Sequence, residues 1–359
     1  MKKRLAAPLA VCLLLTGCSQ LPVAREMEDM ALLRTMGVDS APGGVAVTGS
    51  TGPRAKGLQG EGEPALTLEA DRESLSAACL AMQGQSDSFV FFGCVDQLLI
   101  GEELAEEGVQ AVLDYFARDA ELGLGAQTWL VRGATAREAV SAGGDTGVDS
   151  RLETLRHDSK MGLAPHTRTA GELYTDLLEL GSAYVPALAP GSDGSAMLTE
   201  QGYGVLTGDK LAGFLDGEAA KGLELLAGGP SADILEAELE NQTVTVKSTS
   251  AHTKSRLEFQ GNTPSALKLT CKIEARLSEY ASRPTAEELN QLKTQLEAQE
   301  RSKLEAALAR LRELRGDCAG LGAKAAIFHP AQWQSVQADW PEWFAQVPIE
   351  LQVEITIYD

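Results

Sequence analysis

The most regular pattern in the chain lies at its C-terminal end. In IELQVEITIYD, Ile349, Leu351, Val353, Ile355 and Ile357 alternate with polar residues, the period of a strand with one buried and one wet face. ALKLTCKIEARL repeats the rule with Leu267, Leu269, Cys271, Ile273, Ala275 and Leu277, and together with TVTVKS and RLEFQG it predicts a meander of strands. Between these and the last strand the period changes to that of a helix. Thr285 and Glu288 stand at capping-box spacing. Leu289, Leu292, Leu296, Leu304, Leu308, Leu311 and Leu314 then mark an apolar side running to about Arg315. The phase slips between Leu296 and Leu304, which favours packing against the strands over coiled-coil pairing.

Nearer the N-terminus the elements are shorter. ALTLEA reads as a strand and residues 72–82 as a helix. Residues 89–100 are apolar and β-rich and predict one buried strand. A helix follows from about Gly101, with Ala105, Val109, Val112, Leu113 and Phe116 on one face. Glu102, Glu103, Glu106 and Glu107 load its first turns, where negative charge complements the helix dipole. Residues 128–131 read as the next strand. Residues 172–180 read as a helix, and 183–189 as an edge strand interrupted by Pro186. PGSDGS reads as a turn. A hairpin then pivots on Gly208-Asp209, before a helix from about Gly217 to Leu226.

Three stretches are less regular. Residues 21–36 predict a short helix or extended segment, and 40–64, rich in Gly, Ser and Pro, a long loop around one poor strand at 45–47. Residues 141–170 predict a linker or surface excursion. The fold class expected is therefore α+β, multidomain, with mixed α/β domains, antiparallel-rich sheets and a long helix in the C-terminal domain. The expected division is a leader at 1–17, an N-terminal α/β domain at 18–140, a linker and middle region at 141–240, and a C-terminal domain at 241–359.

The extreme N-terminus has a different logic. Lys2, Lys3 and Arg4 precede an apolar run from Leu5 to Leu15 that is too short to span a bilayer, which needs ~20 such residues. A charged start and short apolar core are the build of a signal peptide. The cleavage region, Leu15-Thr16-Gly17-Cys18, resembles the lipobox of bacterial lipoproteins, in which the cysteine receives a diacylglycerol and becomes the first mature residue. The plainer alternative is a chance cysteine in an ordinary signal peptide. Two or three acyl chains hold a protein stably at ~0.8 kcal/mol per buried methylene, so Cys18 is expected to be the anchor.

Charge narrows the partners. Lys+Arg number 31 against Asp+Glu 51, a net −20, and the leader removes three further cations. Such a chain repels phosphate backbones, so nucleic acid is not an expected partner. Cys79, Cys94, Cys271 and Cys318 could pair in three ways; four buried reduced thiols is the plainer reading. His157, His166, His252 and His329 lack metal-ligand spacing, and no zinc-protease, nucleophile-elbow or phosphate-loop motif occurs. Asp145 and Asp149 lack the spacing and terminal Glu of a calcium loop. Carboxylates are too abundant to single out an acid/base pair, and Gly320 to Lys324 reads as a helix C-terminal cap. No catalytic residue, cofactor or metal is expected, and binding is favoured over catalysis.

Four stretches resemble one family in order. REMEDMALLRTMGVD (25–39), LLIGEELAEEGVQAVLDYFARDAELGLG (98–125), GYGVLTGDKLAGFLDGEAAKGLELLAG (202–228) and DCAGLG (317–322) are similar to segments of the Ger(x)C lipoproteins, the C subunits of bacterial spore germinant receptors. The Gly-rich residues 40–64 and residues 141–170 depart from that pattern. The resemblance implies three mixed α/β domains and a non-enzymatic receptor subunit on the outer face of the spore inner membrane, assembling with membrane A and B subunits. Arg25, Glu26, Asp39, Glu102, Arg118 and Asp119 are the candidate partner contacts. For the helix at 102–118, the plainer reading is a cover over a sheet with solvated charges. A lipoprotein that itself binds a small solute is the alternative function, and an envelope enzyme the third.

Overall fold

The computed structural model describes residues 30–53, 63–191, 198–240 and 242–358. Among these residues, nine strands form one sheet: β2 (Thr35–Ala41), β3 (Gly44–Ser50), β4 (Thr67–Arg72), β6 (Gln97–Gly101), β7 (Gln127–Val131), β8 (Arg168–Thr169), β9 (Ser182–Pro190), β10 (Leu198–Thr207) and β11 (Lys210–Leu215). Their order is β11-β10-β9-β7-β6-β2-β3-β4, with β8 beside β7. The pairs β2–β6, β6–β7 and β7–β9 are parallel, and antiparallel hairpins flank them. The centre is covered on both faces, which is why Leu98, Leu99 and Ile100 read as a continuous apolar run.

One face carries α1 (Leu75–Gln83), α2 (Glu102–Glu107) and α3 (Gln110–Arg118), whose Leu104, Val112, Leu113 and Phe116 pack with Leu98 and Ile100. The opposite face carries α4 (Ala136–Ser141) and α5 (Asp149–Ser159), which bury Val140, Leu152 and Leu155 against Leu99, Trp129 and Val131. Back on the first face, α6 (Ala170–Leu180) closes the core with Leu173 and Leu177, behind a Thr169–Glu172 capping box.

Several expectations are corrected. Residues 89–100 are two strands. β5 (Phe89–Phe91) pairs with β1 (Met30–Leu32) in a separate two-stranded sheet, while β6 sits inside the large one. The turn between them closes where Val95 N–H donates to Phe92 O at 3.0 Å and Asp96 N–H to Arg34 O at 3.0 Å. Both pieces are apolar, β6 buried throughout and β5 at Val90, so hydrophobicity does not register the break. Residues 40–64 supply the regular strand β3, not one poor strand in a loop. The stretch 141–170 holds the packed helix α5, and strands on either side of residue 140 share one sheet. β9 is an interior strand, not an edge. Pro186 is accommodated because the register of β10 shifts between Glu200 and Tyr203, where Tyr203 faces Pro186.

A five-stranded sheet builds the C-terminal part: β12 (Gly229–Pro230), β13 (Ile234–Leu239), β14 (Gln242–Gln260), β15 (Thr263–Glu279) and β16 (Ile349–Tyr358). TVTVKS and RLEFQG are the two ends of the single strand β14, so the meander expected there is one long hairpin. A register shift between Ser248 and Ser250 keeps its inward residues in phase across 19 residues. β16 runs parallel to β15.

Over the inner face lie α7 (Gly217–Ala227) and α8 (Ala286–Glu313). Both halves of the Thr285–Glu288 capping box form. The two helices approach so closely that a Cβ on Gly222 would lie 2.0 Å from Lys303 O. Glu300 fills the position where the leucine phase slips and is buried. Three short helices, α9 (Ala325–Phe328), α10 (Pro330–Val336) and α11 (Trp340–Gln346), lead into β16. The end of α8 is capped by Arg315 at φ 52° and by Gly316 N–H donating to Leu311 O, not by Gly320 to Lys324 as expected.

Candidate partner interface

β6 ends at Gly101, and the chain turns straight into α2. Asp39 of β2 fits against that turn, where a Cβ on Gly101 would sit 2.1 Å from its Oδ1. The Asp39 carboxylate accepts the N–H groups of Ala136 at 2.6 Å and Arg137 at 2.9 Å, capping the start of α4. Burial raises its pKa against the pull of those two donors. Glu102 accepts Gly133 N–H at 2.6 Å. Around them opens a cleft of about 440 Å³ lined by Asp39, Ser40, Glu102, Glu103, Glu106 and Glu138. Asp39 and Glu102 are thus brought together, but each spends its carboxylate on the fold.

Arg118 and Asp119 stand at the far end of α3. The Arg118 side chain is 78% exposed and reaches Asp114 at 3.4 Å. Asp119 Oδ1 accepts N–H from Glu121 at 2.9 Å and Leu122 at 3.1 Å, shaping the exit from the helix. Of the six candidates, Arg118 alone among the described residues presents a mostly free head. Cys18, Arg25 and Glu26 lie outside the described residues.

The helix expected at 101–118 is broken. Gly108 adopts φ 142°, and the tip of the β10–β11 hairpin occupies the gap. Val109 N–H donates to Asp209 O at 2.8 Å, and a Cβ on Gly108 would lie 2.7 Å from Asp209 Oδ2. The predicted apolar face survives the break, because Ala105, Val109, Val112, Leu113 and Phe116 are all buried. Beside this junction Arg132 pairs with Asp216 at 2.6 Å and lies 4.1 Å over the Phe214 ring, whose backbone carbonyl accepts from Arg310 Nε at 3.2 Å. The stretches 98–125 and 202–228 therefore meet.

A second polar assembly, not anticipated from the sequence, joins the two sheets. Tyr203 OH accepts His166 N–H at 2.6 Å and donates to Glu224 at 2.8 Å. The chain of charges continues from Glu224 to Lys221 at 3.1 Å, Asp233 at 3.0 Å, Lys303 at 3.3 Å and Glu300 at 2.7 Å. Burial pushes His166 down and Tyr203 and Glu300 up. Burial also opposes the charge on Lys221, but Glu224 and Asp233 outweigh it and raise its pKa. The available signal was Lys221/Glu224 and Glu300/Lys303 at i,i+3 on faces that are otherwise apolar. A neighbouring cleft of about 910 Å³ is lined by Lys160, His166, Arg168, Glu172, Asp176 and Tyr184. Arg168 there pairs with Asp176 and stacks 4.5 Å from the Tyr184 ring centre.

DCAGLG is organised by Asp317. Its buried carboxylate accepts N–H from Leu321 and Gly322, each at 2.8 Å, and from Trp340 Nε1 at 2.9 Å. Gly322 has to be glycine because a Cβ would come within 2.2 Å of the Trp340 ring. Cys79, Cys94, Cys271 and Cys318 are free thiols, with Cys94 half-buried and the rest buried. Among the described residues no group of three or more His, Cys, Asp or Glu side chains could hold a metal ion.

Residues 24–190 match the family described as Spore germination protein N-terminal domain, and residues 201–359 match Spore germination B3/ GerAC like, C-terminal. No curated protein matches. Among solved structures, the fold is similar to that titled Crystal Structure of the GerBC protein, with a TM-score of 0.61 and 18% identity over 95% of this chain and 99% of that one. The two family matches follow one another in chain order and span nearly its whole length, so this chain belongs to the GerAC-like family of spore germination proteins.

Proposed function

We propose that this chain is a lipid-anchored, non-enzymatic subunit of a spore nutrient germinant receptor. It acts through contacts with membrane A and B subunits at the outer face of the cytoplasmic membrane, the spore inner membrane. The observation that carries this reading is the family match over both halves, in a chain whose two long motifs join at Val109 and Asp209. Attachment rests on Leu15-Thr16-Gly17-Cys18, since no helix among the described residues is long and apolar enough to cross a membrane. A pull-down from spore membranes with the tagged chain tests the reading. Recovery of an A-type or B-type subunit is expected, and its consistent absence overturns the assignment. Replacing Cys18 by Ala should release the chain from the membrane fraction.

The 910 Å³ cleft beside Arg168 supports a second reading, in which the chain itself takes up a small polar solute. Calorimetry with nutrient amino acids and sugars separates the two, because the solute reading requires a saturable heat.

A further inference from the structure

β14 and β15 turn one face to the core, and among the described residues nothing covers the other. On that face stand Lys247, Lys254 and Arg256 of β14 and Lys268, Lys272 and Arg276 of β15, with Glu258 of β14 and Glu274 of β15 among them. The register sets like charges directly opposite one another, Lys247 against Arg276 and Arg256 against Lys268, with His252 against Lys272. Such cross-strand pairs repel and weaken a sheet. Lys268 is relieved by Glu258 at 3.1 Å and Glu350 at 3.6 Å, and Lys272 by Glu354 at 2.8 Å. Lys247, Lys254, Arg256 and Arg276 make no ion pair among the described residues. In a chain of net charge −20, carboxylates to relieve them are not scarce. The Lys247–Arg276 row, where neither cation is paired among the described residues, is a local cost that folding does not require.

The strip has borders. Exposed Glu236 and Glu238 of β13 lie on one side, and Glu350 and Glu354 of β16 on the other. At one end the row Ile234–Lys247–Arg276–Tyr358 sets two cations between exposed apolar side chains, Ile234 at 56% and Tyr358 at 48%. Neighbouring strands are ~4.8 Å apart, so the cationic band is narrower than the ~8 Å over which charges are felt at physiological salt. A broad anionic surface such as a lipid headgroup plane would meet the flanking carboxylates together with the cations. A single chain segment, ~10 Å across if helical, meets chiefly the band. At ~3.3 Å per residue the band runs roughly 30 Å from Lys247 to Arg256.

We propose that the outer face of the β14–β15 hairpin docks an acidic polypeptide segment. Its carboxylates lie along the strands, and an apolar side chain at one end rests between Ile234 and Tyr358. This concerns the chemistry of one face and does not depend on a germinant receptor being the setting, so its failure would leave that reading untouched.

The test uses the full-length chain in a nonionic detergent and a fluorescein-labelled peptide of Glu-Glu-Tyr repeats, with a Lys-for-Glu peptide as control. Anisotropy should show binding of the acidic peptide alone, weakening as salt rises. The variant K247E with R256E turns both like-charged rows into opposite-charged ones. It should weaken peptide binding at least tenfold while its melting temperature stays the same or rises. The neutral K247Q with R256Q should weaken binding in the same direction without reversing charge. Absent peptide binding, or binding that neither variant changes, overturns the proposal. So does flotation with phosphatidylglycerol vesicles, or self-association of the chain, that the variants abolish while the peptide is ignored.

Discussion

Val109 donates its backbone N–H to the carbonyl of Asp209 at 2.8 Å, and that bond stands where a helix would otherwise continue. Gly108 makes the break possible at φ 142°, a backbone region that side chains rarely enter. Gly108→Ala should therefore cost ~1–3 kcal/mol in backbone strain alone. The added methyl would also meet Asp209 Oδ2. In a double-mutant cycle read by urea unfolding, Asp209→Gly should recover only the collision and leave the strain.

Tyr203 is fully buried and edge-on to Tyr184, with ring centres 5.5 Å apart. Its hydroxyl serves both the His166 N–H and Glu224. Tyr203→Phe strands both partners and should destabilise the chain by ~1–3 kcal/mol. A loss much below that in thermal melting would mean that water replaces the hydroxyl.

Asp317 should make stability depend on pH. Burial raises its folded-state pKa to about 6 from 3.8, against the pull of its three N–H donors. The folded chain then holds a proton that the unfolded chain has released, so this contribution is fully present below 3.8 and is lost as pH rises through about 6. Melting temperatures across that window should show the fall. Asp317→Asn should flatten it while lowering stability overall, since an amide cannot accept all three donors.

Arg118 and Glu102 should separate surface from scaffold. An exposed ion pair contributes little, so Arg118→Glu is expected to change stability by no more than ~0.5 kcal/mol. Glu102→Ala removes the acceptor of Gly133 N–H and should cost ~1 kcal/mol. If Arg118→Glu also prevents recovery of partner subunits, the defect is one of contact and not of folding. Normal assembly with Arg118→Glu would remove this residue from the interface.

Much of this fold was legible because local chemistry and global packing agree. Thr285 and Glu288 form the capping box their spacing predicts, and Gly208-Asp209 forms the predicted hairpin. Legibility failed where two environments share one composition. Residues 89–100 are apolar whether they form one strand or two, and Pro186 looks like an edge marker until a neighbouring strand shifts its register around it. The candidate contacts were harder still. Asp39 and Arg118 are both charged residues beside apolar runs, yet one carboxylate caps a buried helix start and the other head group stands in solvent.

The sequence by itself determined the periods: which residues alternate, which follow a helical turn, and that Thr285 would cap a helix and Gly208-Asp209 turn a hairpin. These depend on neighbours within about four positions, which the chain order states outright. Tertiary structure alone decided which strands share a sheet, that Asp209 would break a helix a hundred residues away, and that Glu300 would be buried beside Lys303. It also decided that Lys247 would face Arg276 on the outer face of a sheet. Register across distant strands is settled by packing, and a shift of one residue would move every one of those charges to the other face.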